Sequence, residues 1–270
     1  MGGTMPGPVL FRGLAGVLLA VALVGVLAAG SSCNSGGSTG REGSGPPPGE
    51  KGEPSRGGMG FIDLPRPMTR GQVSLEEALA ERRCRREFSR KEVALAHLGQ
   101  LLWAASGMPS AGTPSAAGTA GVQGDATTGA TRTAPSAGAI YPLALYVVAG
   151  HVQRLDPGVY QYDAGAHALR RVLAGDVREE LAAAALRQDW VRKAPLSVVI
   201  AADYPRIRER YGERGVRYAL IEAGCVAQNI ALQATALGLG TVVVGAFADE
   251  KVAGVLGAGE EPLLIIPVGP

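Results

Sequence analysis

Hydrophobic and polar positions along this chain follow two different periods from about Phe61 onward. Ser74-Leu75-Glu76-Glu77 has the Ser-x-x-Glu spacing of a capping box. In a capping box the serine hydroxyl accepts from an orphan amide of the first turn and the glutamate returns to the serine N–H. It predicts a short helix running to Arg82. Ser89-Arg90-Lys91-Glu92 repeats the signature and predicts a second helix, whose apolar positions Val93, Leu95, Ala96, Leu98, Leu101, Leu102, Ala104 and Ala105 end at Gly107. Residues 106–134 are small and polar, the composition of a long surface loop. Continuous apolar runs at 143–148 and 197–202 predict buried strands, and 158–162 with 168–173 predict a hairpin. Residues 177–188 read as helical and 206–211 as a short charged helix. A long helix over about 216–237 carries Ala219, Ala223, Ala227 and Ala231 at four-residue spacing, a stripe that allows close helix contact. Residues 241–247 and 263–268 read as strands, with a helix over 249–256 between them. Helices and strands interleave without a strict βαβ rhythm. The expected architecture is therefore α+β, a mixed sheet flanked by helices with one long central helix.

Composition adds bounds rather than detail. A chain of 270 residues, 46% hydrophobic, suffices for one sizeable domain with appendages, and a net charge of +2 gives no global attraction to nucleic acid. The N-terminus has the form of a targeting segment, with Arg12 ahead of an apolar run over 14–29. That length suits a signal sequence better than a full span, which needs about 20 apolar residues. Cys33 just beyond it is the position a lipoprotein would acylate. Gly30 stands where a leucine is usual, so ordinary cleavage near 28–30 or a retained anchor are alternatives. Export is the expectation, as an anchored lipoprotein or a free extracytoplasmic protein. Residues 34–60, with Pro46-Pro47-Pro48, cannot bury enough apolar area to offset their ordering entropy and read as a tether. The expected layout is a signal at 1–33, a tether at 34–60 and a folded domain at 61–270. Three cysteines make no disulfide framework, and no Cys/His spacing resembles a metal site.

Three segments carry candidate chemistry. Arg82, Arg83, Arg85 and Arg86 cluster around Cys84, and guanidinium groups bind phosphate bidentately; the plainer reading is a solvated charged turn. Pro135-Ser136-Ala137-Gly138-Ala139-Ile140-Tyr141-Pro142 places small residues and one hydroxyl before a strand, where a backbone can approach something flat. Its plainer reading is a tight turn. Gly245, inside an apolar run, weakens a strand unless a ligand or backbone comes close. Neither a dinucleotide-binding fingerprint nor a P-loop is present.

Together these pieces resemble one family. Arg82-Arg83-Cys84-Arg85-Arg86-Glu87-Phe88 is similar to the Arg-Arg-Ser-x-Arg-x-Phe element that opens the FMN-dependent nitroreductase domain. Leu101-Leu102-Trp103-Ala104-Ala105-Ser106-Gly107 resembles its Leu-Leu-Trp-Ala-x-x-Gly helix end. Pro135-Ser136-Ala137-Gly138-Ala139 with Tyr141-Pro142 resembles the Pro-Ser-Ala-Gly-Gly-x-Tyr-Pro element of the SagB-type (ThcOx) dehydrogenase branch. Gly158 to Tyr162, Tyr218 through Glu222 and Gly224 to Asn229, and Pro267-Val268-Gly269 continue the match in order.

The resemblance implies a homodimeric flavoprotein with FMN at the subunit interface. Arg82, Arg83 and Arg86 would contact the phosphate and ribityl chain, with Cys84 at the usual serine position. Pro135, Ser136, Ala137 and Gly138 would lie against the isoalloxazine, and Val244, Gly245 and Ala246 would approach it from the other end. The expected activity is hydride transfer between flavin N5 and a small organic substrate or NAD(P)H. Three departures qualify this: Cys84 replaces serine and would alter a hydrogen bond to the cofactor without abolishing binding, the basic residues that some relatives place after Pro-Val-Gly are missing, and Arg210-Tyr211 stands where azoline-oxidising members carry Lys-Tyr. Arginine stays protonated and is a poor base, leaving Tyr211 as the candidate proton donor. The alternatives are azoline oxidation in a modified peptide, and an exported flavin-binding lipoprotein without turnover.

Overall fold

The computed structural model describes residues 60–109 and 131–270. The signal and tether expectations therefore lie outside the described residues. Seven strands, β1 (Phe61–Asp63), β2 (Leu143–Ala149), β3 (Gly158–Asp163), β4 (Ala168–Ala174), β5 (Leu196–Ala202), β6 (Gly240–Thr241) and β7 (Glu261–Gly269), form one sheet in the order β1-β4-β3-β2-β5-β7-β6. Every pairing between these strands is antiparallel. Parallel pairing enters through two isolated bridges, Cys84 with Thr241 and Val93 with Val152.

Strand alternation sends successive side chains to opposite faces, and helices cover both. Leu145, Val147, Tyr160, Val198 and Ile200 pack with α2 (Leu95–Ser106) and the 23-residue α6 (Arg214–Ala236). Tyr146, Val148, Val159, Val199 and Ile265 pack against α3 (Arg178–Ala184), α4 (Asp189–Lys193) and α7 (Asp249–Leu256). The alanine stripe of α6 is buried, Ala219 fully and Ala231 at 5% exposure, so it serves core packing. The remaining helices are α1 (Leu75–Glu81), which carries the expected capping box, and α5 (Tyr204–Tyr211).

Three expectations are corrected. The second Ser-x-x-Glu does not open a helix: α2 begins at Leu95, because Val93 donates to His151 O (3.0 Å) and accepts from Gln153 N (2.9 Å). A tertiary ladder there outcompetes a local cap. The helix expected over 177–188 stops at Ala184 as α3, where Leu186 and Arg187 take φ of 57° and 59°, and α4 follows beyond the expected span. The strand expected over 241–247 is reduced to β6 and one bridge, Val244 with Ile265.

Candidate functional site

The arginine segment leaves α1 as extended backbone and is stitched to β6. Cys84 pairs with Thr241, and Arg85 N–H donates to Thr241 O at 2.9 Å. Gly240 makes the approach feasible: a Cβ there would lie 2.8 Å from Arg85 Cδ. The backbone is thus fixed while the side chains stay out in solvent, with Cys84, Arg85 and Arg86 all exposed. Arg83 turns back, its Nη1 donating to Ala80 O (2.7 Å) and Arg82 O (2.8 Å). It thereby serves α1's C-terminal carbonyls, which lack helical partners. Arg82 Nη1 lies 3.9 Å from Cys84 Sγ, and the Arg86 guanidinium sits 5.5 Å from the Trp190 ring centroid. Among the described residues none of these arginines makes an ion pair.

Beyond β6 the chain continues along β7. Val244 exchanges both backbone hydrogen bonds with Ile265 (2.8 and 2.9 Å), and Ala246 O accepts from Gln188 Nε2 (2.8 Å). Gly245 and Ala246 are exposed. A Cβ on Gly245 would meet nothing closer than Leu264 Cδ2 at 3.9 Å. The protein's own packing leaves that position open.

The turn before β2 is built the opposite way. Around the 3₁₀ turn Ala137–Ala139, Gly138, Ala139 and Tyr141 take φ of 59°, 55° and 50°. The two non-glycine residues each carry a cost of about 1–2 kcal/mol, so the surroundings must hold them. Ser136 Oγ donates to Glu222 Oε2 at 2.5 Å and accepts from Tyr141 N–H at 2.9 Å. Glu222 lies on α6 and is only 3% exposed. Burial pushes its carboxyl up to about 7, against the Ser136 hydrogen bond and the charges of Arg132 and Arg206, which pull it down. Arg132 is itself pinned, with Nη1 on Ser106 Oγ (3.2 Å) and the guanidinium 4.5 Å from the Tyr141 ring centroid. Burial lowers the Arg132 pKa, the opposite of its effect on Glu222. Asn229 ties Thr133 O (3.3 Å) and Ala104 O (2.9 Å) to α6. Over the turn lie Arg210 and Tyr211: a Cβ on Gly138 would come 2.6 Å from Tyr211 Oη and 3.0 Å from Arg210 Nη1. Tyr211 stacks edge-on against Tyr218 at 5.0 Å.

The structure thus brings Arg82, Arg83, Cys84 and Arg86 next to the strand that leads to Val244, Gly245 and Ala246. It brings Ser136, Ala137 and Gly138 next to Tyr211. Pro135 is exposed at the edge of that turn. The two groups attach to α6 at Glu222 and just beyond Ala236, roughly 20 Å apart along the helix axis at 1.5 Å per residue. No hydrogen bond among the described residues joins them. Sequence reasoning passed over Glu222, Arg132, Trp190 and Gln188 as contact residues. Glu222 left a signal, since it falls among Ala219, Ala223 and Val226 on the apolar face of α6, where a carboxylate needs a partner.

Residues 79–270 match the nitroreductase family. A Methanocaldococcus jannaschii protein, provisionally named a nitroreductase, is 41% identical over 198 residues, spanning 73% of this chain and 91% of that protein. The trifolitoxin operon protein TfxC of Rhizobium leguminosarum bv. trifolii is 32% identical over 117 residues, covering 43% of this chain and 33% of that protein. A crystal structure from Ralstonia eutropha JMP134, likewise provisionally named a nitroreductase, superposes with a TM-score of 0.61 at 31% identity, covering 77% of this chain and 88% of that one.

Proposed function

The chain belongs to the nitroreductase family, and on that premise we propose that residues 61–270 form an FMN-dependent oxidoreductase of the SagB-type dehydrogenase branch, acting as a homodimer. The observation that carries this reading is the contrast at Gly245. Its side-chain space is open, and the strand that leads to it is stitched at Thr241 to an arginine segment whose guanidinium groups have no ion-pair partners among the described residues. An anionic head with a flat, close-approaching body fits that pair of features.

FMN, when bound, would supply hydride chemistry at N5. This chain's own residues do the rest. Arg82 and Arg86 hold the phosphate and ribityl chain, with Arg83 serving mainly as the α1 cap and adding its charge. Cys84 fixes the segment through its backbone. Val244, Gly245 and Ala246 offer a side-chain-poor edge, and Pro135, Ser136, Ala137 and Gly138 a second surface for the ring. The distance between these two groups within one chain favours a site completed by a second copy. Leu220 and Ile221 on α6, 51% and 59% exposed, offer apolar surface for such a partner. Tyr211 is the candidate proton donor, while Arg210 beside it stays protonated and does not act as a base.

The preferred substrate is a small organic acceptor or donor exchanging with NAD(P)H. A second reading, oxidation of an azoline in a modified peptide, draws on the similarity to the trifolitoxin operon protein; Arg210 counts against it. If the apolar run at 14–29 directs export, the electron donor is a membrane or peptide partner rather than cytoplasmic NAD(P)H. The test is direct: the purified protein should take up FMN and turn over NAD(P)H with a nitro or quinone acceptor. FMN uptake without any turnover would leave only a flavin-binding protein.

A further inference from the structure

Ser136 is fully committed in this structure. Its oxygen accepts the Tyr141 N–H at 2.9 Å, and its single proton goes to Glu222 Oε2 at 2.5 Å. A hydroxyl has one proton, so Ser136 cannot donate to anything lying against the turn while Glu222 is a carboxylate. A protonated Glu222 reverses the arrangement. The carboxylic acid then donates to Ser136 Oγ, the Ser136 proton is freed to turn outward, and the Tyr141 contact is kept.

We propose that Glu222 is the positioning residue of the site. Through Ser136 it sets whether the 135–141 turn offers its bound flavin a hydroxyl donor or withholds one. This rests on the reading above, in which that turn faces the isoalloxazine. Glu222 acts without touching the ligand, since it is 3% exposed and its only hydrogen-bond partner among the described side chains is Ser136. Arg132 from the segment before the turn and Arg206 from α5 face it with positive charge and favour the carboxylate. Burial favours the acid, and the balance sets the exchange near neutral pH.

Two measurements decide the matter separately. In FMN-loaded protein, the bound flavin's visible spectrum followed against pH should show a step near 7 in the parent protein. Glu222→Gln should abolish it, and Ser136→Ala should abolish it in whatever FMN the altered turn still holds. A step that persists unchanged in either variant overturns the proposal. In flavin-free protein, the infrared C=O band of a protonated carboxyl should disappear as pH rises through the same range. Glu222→Gln should remove that band, and Ser136→Ala should move its midpoint upward, because the serine hydrogen bond pulls the pKa down. A band that ignores Ser136→Ala overturns the coupling. Failure of the protein to take up FMN would instead sink the functional reading, with the infrared titration still deciding whether Glu222 governs Ser136.

Discussion

The arginine segment and the 135–141 turn are held in opposite ways. Residues 82–86 are fixed by backbone, through the Cys84–Thr241 bridge and the Arg85 N–H, and their side chains lie at the surface, with Arg83 turned back onto α1 and Arg86 against Trp190. The turn is fixed by side chains, through Ser136, Glu222, Tyr141 and Tyr211, and its strained backbone is buttressed from beneath and above. Flexible charge suits capture of a phosphate, because long guanidinium stems adapt to the anion. A rigid small-residue surface suits a planar ring, because its shape must exist before the ring arrives. Substitutions should therefore separate the two: damage to the turn should appear as lost stability, and damage to the arginine segment as lost affinity.

The largest loss of stability is expected at Gly138. Alanine there adds a Cβ at φ 59° and places it 2.6 Å from Tyr211 Oη. We expect Gly138→Ala to destabilise the fold by about 1–2 kcal/mol through backbone strain, with the ends of the Tyr211 and Arg210 side chains moving aside, measured by urea unfolding. Stability unchanged by this variant would break the claim that the turn is pre-formed.

Next comes Glu222→Gln. The folded-state value of about 7 lies above the ordinary 4.5, so between those values the native state holds a proton that the unfolded chain has released. Glu222 therefore makes stability fall as pH rises through that window. The full shift corresponds to an upper limit of about 3 kcal/mol. Glu222→Gln should flatten unfolding free energy against pH over that range; an unaltered slope would contradict the burial argument.

Arg86→Ala should leave unfolding within about 0.5 kcal/mol while weakening FMN binding by about 10- to 100-fold, as expected for a lost charge-assisted contact. Fluorescence titration at two salt concentrations reads both the loss and its reduced salt dependence. The smallest stability effect is expected at Gly245→Ala, where the added methyl meets only Leu264 Cδ2 at 3.9 Å. That variant should fold normally and bind FMN less well. If it binds FMN as the parent does, the ring does not approach this strand.

The same contrast explains what the sequence disclosed. α7 was legible because burial of one face dictates its pattern, and β2 because a strand covered on both faces is a continuous apolar run. The start of α2 and the extent of β6 were not, because Val93 and Val244 answer to distant partners, His151, Gln153 and Ile265. The arginines and small residues of the site were visible as residue types with a known chemical use. Glu222 stood inside the family match with no role attached, and as an anomaly, a carboxylate on an apolar face. Its partner Ser136, 86 positions away, is set by the fold alone.

The most direct measurement asks whether the arginine segment and the strand at Gly245 together hold a flavin. Purified full-length protein is incubated with FMN, desalted, and its visible absorption recorded beside Arg86→Ala and Gly245→Ala. Oxidised-flavin bands are expected in stoichiometric amount in the parent protein, with weakened retention in both variants, each still folded. A parent protein that elutes colourless after loading, with its fold intact, would contradict it.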